Sequence, residues 1–230
     1  MDYSGSLIGL EKCKDLETFE VTNLMWNVDF RISAFADGIG RLPQSIKSIY
    51  CDYITKKMFP ENVSYENLTF MKAQDMRVDL NRFINLKDLI IKDGNNIIQD
   101  LHLSKLQTVM CNVGANDCSL KFLRDVKSLK ILQLICPKLT DPEELKSLNI
   151  ERFEYFGDSY FDITSFIPIS ATLVSLSVYF INRLQPFIDR VDKTKDYKII
   201  IRGLDPSLVK SFVKAHVENL LPNITIIGRC

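Results

Sequence analysis

The chain has 230 residues, of which 46% are hydrophobic and 25% charged, a balance that fits a folded globular protein and excludes a disordered chain. Lysine plus arginine equals aspartate plus glutamate at 29 each, so no global field draws the protein to nucleic acid or to an anionic membrane. No run approaches the roughly 18 apolar residues of a membrane span.

The first residues, MDYSGSLIGLEKCKDLE, lack the basic and apolar regions of a secretory signal. Six cysteines (Cys13, Cys51, Cys111, Cys118, Cys136 and Cys230) are irregularly spaced and contain no C-x-x-C pair, which points to reduced thiols instead of a zinc site or a disulfide framework. The expected location is intracellular, in the cytoplasm. The sequons at Asn62, Asn67 and Asn223 are then read as chance matches.

In chain order, one phrase recurs: an apolar residue, two spacers, an apolar residue, one spacer, an apolar residue. It begins at Leu16 (LETFEV), Ile46 (IKSIYC), Tyr65 (YENLTF), Leu86 (LKDLII) and Leu106 (LQTVMC). It continues at Leu129 (LKILQL), Ile150 (IERFEY), Leu173 (LVSLSV) and Leu221 (LPNITI), with a weaker copy at Asp196 (DYKIII). A helix would repeat its apolar residues at steps of three and four, whereas the last two apolar places alternate as on a strand. Ten short strands are predicted, each entered through a turn.

From Ile46 onward the starts lie 19 to 25 residues apart. The first interval is longer and contains NVDFRISAFADGIG, so an irregular N-terminal cap is predicted over 1–45. Helix starts are read at Asp141-Pro142 before EELKSL, at Asp205-Pro206 before SLVKSFVKAHVENLL, and more weakly at Ser119 before LKFLRDV. Residues 205–230 are predicted to form a helix and the last strand. The whole of 1–230 is read as one domain.

The phrase and its period resemble the leucine-rich repeat family, whose units run about 20 to 29 residues. The resemblance implies an α/β solenoid with a parallel sheet on the concave face and short helices or irregular segments on the convex face. It departs from the family at the ninth position, where Asn or Cys is usual and Gly94, Gly114, Pro137 and Asp158 stand here. An irregular array is therefore expected. A second resemblance is local: Leu42-Pro43 followed by spaced isoleucines looks like the opening of an F-box, the helical segment of ubiquitin-ligase substrate receptors.

Nothing in the chain reads as catalytic machinery. No phosphate loop, nucleophile elbow or zinc-protease helix is present, and the two histidines, His102 and His216, fall in connections. No enzyme activity, cofactor, metal, nucleic acid or membrane is implied. Cys51 and Cys111 occupy apolar strand places and read as packing residues. What remains is the strand face turned away from the core. Met71, Ile90, Met110, Ile131, Ile135, Phe156 and Tyr179 are expected there as an apolar group, with Lys92, Glu154 and Arg202 at its edges. The expected function is a scaffold-like interaction module holding a protein partner on that concave face. Self-association through an open edge at the C-terminal strand is a further expectation.

Overall fold

Alternation at Leu89 and Ile91, or Leu132 and Leu134, places every second side chain on one face, and those faces are buried while their neighbours are not. The computed structural model describes residues 9–21, 40–92, 100–114, 117–157, 160–217 and 220–229. Ten strands form one continuous sheet: β1 (Thr18–Val21), β2 (Ser48–Thr55), β3 (Phe70–Arg77), β4 (Asp88–Lys92), β5 (Thr108–Asn112), β6 (Ile131–Ile135), β7 (Arg152–Phe156), β8 (Leu173–Ser177), β9 (Tyr197–Arg202) and β10 (Ile224–Arg229). Every pairing is parallel and the spatial order follows the chain order from β1 to β10.

Among the described residues helix is scarce. The α-helices there are α1 (Glu143–Ser147), α2 (Gln185–Ile188) and α3 (Val209–His216); the other helical turns are 3-10 segments such as Leu80–Arg82 and Lys121–Leu123. The expected leucine-rich-repeat solenoid with short helices on a convex face is therefore corrected to a single large parallel sheet with few helices. The physical reason is the spacing of apolar residues in the returns. Inward residues such as Met58, Phe59, Leu80 and Phe83 do not follow a sustained helical period, and turns with three-residue 3-10 segments bury them one by one. Ser119 opens a 3-10 turn, and Asp141 does not cap α1; it accepts from Ser119 Oγ (2.6 Å) and Leu120 N (2.8 Å) one return earlier.

The helix read from Asp205 is split. Asp205 accepts from Ser207 N at 2.8 Å and opens the 3-10 turn Pro206–Leu208, after which α3 runs only to His216. Among the described residues, the stretch that resembles the opening of an F-box is a strand entry: β2 occupies Ser48–Thr55, and Leu42 and Pro43 are buried before it. The N-terminal cap expected around NVDFRISAFADGIG falls almost wholly outside the described residues.

The core lies between the inward strand face and the returns, from Phe19 through Leu89, Leu132, Phe153 and Val174 to Ile224. A side-chain ladder stitches the returns, in place of the asparagines missing at the ninth position. Ser45 Oγ donates to Leu16 O (2.7 Å), Asn67 Nδ2 to Gln44 O (3.1 Å), Asn85 Nδ2 to Glu66 O (2.7 Å) and Ser128 Oγ to Leu106 O (2.8 Å). Each of these residues immediately precedes an inward apolar residue at the strand entry: Ile46, Leu68, Leu86 or Leu129. Arg82 and Arg190 do the same with guanidinium groups. Arg82 donates to the carbonyls of Phe59 (2.9 Å), Pro60 (2.6 Å) and Val63 (3.2 Å), and Arg190 to those of Thr164 and Pro186 at 2.9 Å each.

Candidate interaction face

Strand register fixes which side chains share the outward face. Ile90, Met110 and Gln133 lie in one cross-strand row, continued by Glu154, Ser175 and Ile200. A parallel row holds Lys92, Asn112, Ile135 and Phe156, and a third holds Asp88, Thr108, Ile131 and Arg152. Equivalent positions on adjacent strands are about 4.8 Å apart, so Ile90, Met110, Ile131, Ile135 and Phe156 are near neighbours across β4 to β7. All five are half-buried, and none belongs to the core cluster. Lys92 is exposed at the end of β4.

Two expected members are misplaced. Met71 is 0% exposed, because Met71 pairs with Leu89 and Ala73 with Ile91; the inward places are thus Leu68 in the turn before β3 and Met71 and Ala73 on it, so the phrase starts three residues beyond Tyr65. Tyr65 sits in the preceding turn, its hydroxyl 3.1 Å from Leu42 O and 3.2 Å from Met58 O. Tyr179 is 65% exposed but belongs to the 3-10 segment Val178–Arg183, because Val174 and Leu176 align with Phe153 and Tyr155 and the strand ends at Ser177. A slip of two keeps the same face, so the alternation alone did not reveal it.

Glu154 stands on the outward side and is still only 4% exposed. Arg152 covers it, donating through Nε at 2.7 Å and through a terminal nitrogen, and Arg202 reaches it from two strands away at 3.5 Å. Arg202 Nε also donates to Ser175 Oγ at 3.0 Å, and its guanidinium carbon lies 5.1 Å from the centre of the Phe156 ring. A cation over an aromatic face is held electrostatically as well as by packing. Arg152 and Lys198 were not singled out in the sequence, although alternation on their strands could have marked them as outward; the convergence of Arg152 and Arg202 on Glu154 could not be read there, since it needs the register of three strands. At the other end, Tyr50 and Phe70 stack with ring centres 4.7 Å apart.

The described cysteines are free thiols, and four of the five, Cys51, Cys111, Cys118 and Cys136, are buried. Cys118 lies within side-chain hydrogen-bonding reach of both Cys111 and Cys136, and those bonds hold its thiol below the ordinary range; the same bond to Cys118, with burial, pushes Cys111 and Cys136 up. Among the described residues no three His, Cys, Asp or Glu side chains are placed to hold a metal ion. His102 is exposed, with Nδ1 3.4 Å from Asp125 Oδ2, and the His216 side chain lies outside the described residues. Among the described residues no helix is long and apolar enough to cross a membrane.

No family model, no curated protein and no solved structure matches this chain. The resemblance of its phrase to leucine-rich repeats therefore has no matching family behind it.

Proposed function

We propose that the protein is a non-enzymatic interaction module of the cell interior that holds a protein partner against the outward face of its central strands. One observation carries the reading: Ile90, Met110, Ile131, Ile135 and Phe156 are apolar, outside the core and only half-buried on four consecutive strands, with Ile90 paired to Met110 and Ile135 to Phe156. Contiguous apolar side chains outside a core mark interaction sites more often than chance surface composition does. A rigid sheet also holds them without the ordering cost that a loop would add on binding.

The test is affinity capture of the partner by the intact chain, repeated with Ile90→Asp combined with Phe156→Asp. Capture should weaken about tenfold or more, equivalent to about 1.4 kcal/mol, since anchors near an interface centre dominate its energy. Circular dichroism of the variant should match the parent. A folded variant that captures the partner undiminished removes the site.

A further inference from the structure

The chain is neutral as a whole, yet its outward sheet face is polarised. On β7 to β10 that face carries four cations, Arg152, Lys198, Arg202 and Arg229, against the single carboxylate of Glu154, a net of three positive charges. On β5 and β6 it carries Thr108, Met110, Asn112, Ile131, Gln133 and Ile135, none of them charged. On β1 to β4 the carboxylates of Glu20, Asp52 and Asp88 alternate with the cations Lys72, Arg77 and Lys92, so that charges of both signs are mixed there. The apolar group, through the pair Ile135 and Phe156, therefore runs into a basic end. The junction is Phe156, over which Arg202 is fixed.

Glu154 shows what the basic end accepts: a carboxylate seated between two guanidinium groups, donated to by Arg152 and more distantly by Arg202. That carboxylate is buried and already occupied, while Arg152 and Arg202 keep 44% and 36% of their side-chain surface exposed. Arg229 is exposed one strand beyond Arg202, in the same row. Ser177, the cross-strand neighbour of Arg202, has a buried hydroxyl without a hydrogen-bond partner.

We propose that this end of the face receives an acidic stretch of a partner polypeptide, with aspartate or glutamate carboxylates on Arg202, Arg152 and Arg229. Apolar side chains of the same stretch lie on Phe156, Ile135 and Met110. The proposal rests on the reading of the outward face as a protein-binding surface and adds the chemistry of the partner. Charge-assisted guanidinium–carboxylate bonds would fix register, while the apolar group supplies contact area. A nucleic-acid backbone would engage only the cations and leave the adjoining apolar group uncovered, so a peptide is the better fit.

The experiment measures fluorescence anisotropy of the full chain with two labelled peptides of identical leucine and phenylalanine content, one carrying glutamate and the other lysine at its charged positions. Labelled oligothymidine is the third probe. The glutamate peptide should bind about tenfold or more tightly than the lysine peptide, and Arg202→Gln with Arg229→Gln should weaken it about tenfold with unchanged circular dichroism. Arg229→Gln alone provides a second variant at an exposed position. Equal binding of the two peptides, no binding of either, indifference to the arginine variants, or tighter binding of oligothymidine overturns the proposal. Phe156→Ala, which removes apolar surface without adding charge beside Arg202, separates the two readings. If it leaves glutamate-peptide binding intact while the arginine variants abolish it, the apolar reading fails and the acidic site stands; the reverse pattern removes the acidic site alone.

Discussion

Single side chains hold the returns of this protein together, and Asp162 is the clearest case. Burial alone would push its carboxyl up, but Thr164 and Ser165 outweigh that by donating from their hydroxyls (2.6 and 2.9 Å) and from Thr164 N (3.1 Å), so the group sits below the usual carboxylate range. The Thr164 hydroxyl is also 2.5 Å from Arg183 O, and its single proton serves one acceptor at a time. A depressed carboxylate contributes stability above its unfolded pKa, about 3.9, and loses it as pH falls through the lower folded value. Asp162→Asn is therefore expected to lower the urea midpoint near neutral pH, with the gap to the parent narrowing below about pH 4. Urea titrations of both proteins across that range decide it; a gap independent of pH means the charge is not what matters.

Within each element, the inward strand residues carry the stability. Leu89 and Leu132 are fully buried, each flanked by inward residues of two neighbouring strands: Met71 and Val109 beside Leu89, Val109 and Phe153 beside Leu132. Truncating either should cost about 2 to 5 kcal/mol, because the lost transfer energy is joined by a cavity that a parallel sheet paired on both sides cannot close. Cys51→Ala removes a single sulfur from a comparable buried site and should cost less. Urea midpoints of the three variants check the order, and a Cys51→Ala loss equal to that of Leu89→Ala would contradict it. The helices contribute through specific contacts only: α3 packs Val209 and Val213 on the core, while Leu208 ahead of it is left exposed.

Across the whole molecule, each strand pairs only with the strands next to it in sequence, so β1 and β10 have one strand neighbour each among the described residues and the interior strands have two. Opening the sheet from an end breaks one ladder, whereas exposing a central strand breaks two. Backbone amides of β4 to β6 are accordingly expected to exchange by the largest openings and those of β1 and β10 by smaller ones. Native-state hydrogen exchange followed strand by strand measures this directly. Equal opening energies throughout would mean that the sheet melts as one unit.

The sequence by itself determined that short strands recur along the chain and, for most of them, which residues face inward, because alternating apolar places can be buried on one side only. It did not determine the register of β3 or β8. In the first, Tyr65, Leu68, Phe70, Met71 and Ala73 admit two threadings three residues apart, and in the second, Ala171, Leu173, Val174, Leu176 and Val178 admit two threadings two apart. Pairing with Leu89 on one side and Phe153 on the other selects between them, and that selection moves Met71 into the core and Tyr179 off the strand. Composition likewise concealed the charge pattern, since a neutral total says nothing about where the charges meet. Only the tertiary structure decided the single sheet with few helices, the ladder of Ser45, Asn67, Asn85 and Ser128, and the meeting of Arg152 and Arg202 on Glu154. These depend on distances between residues about 20 to 50 positions apart, which local periodicity does not encode.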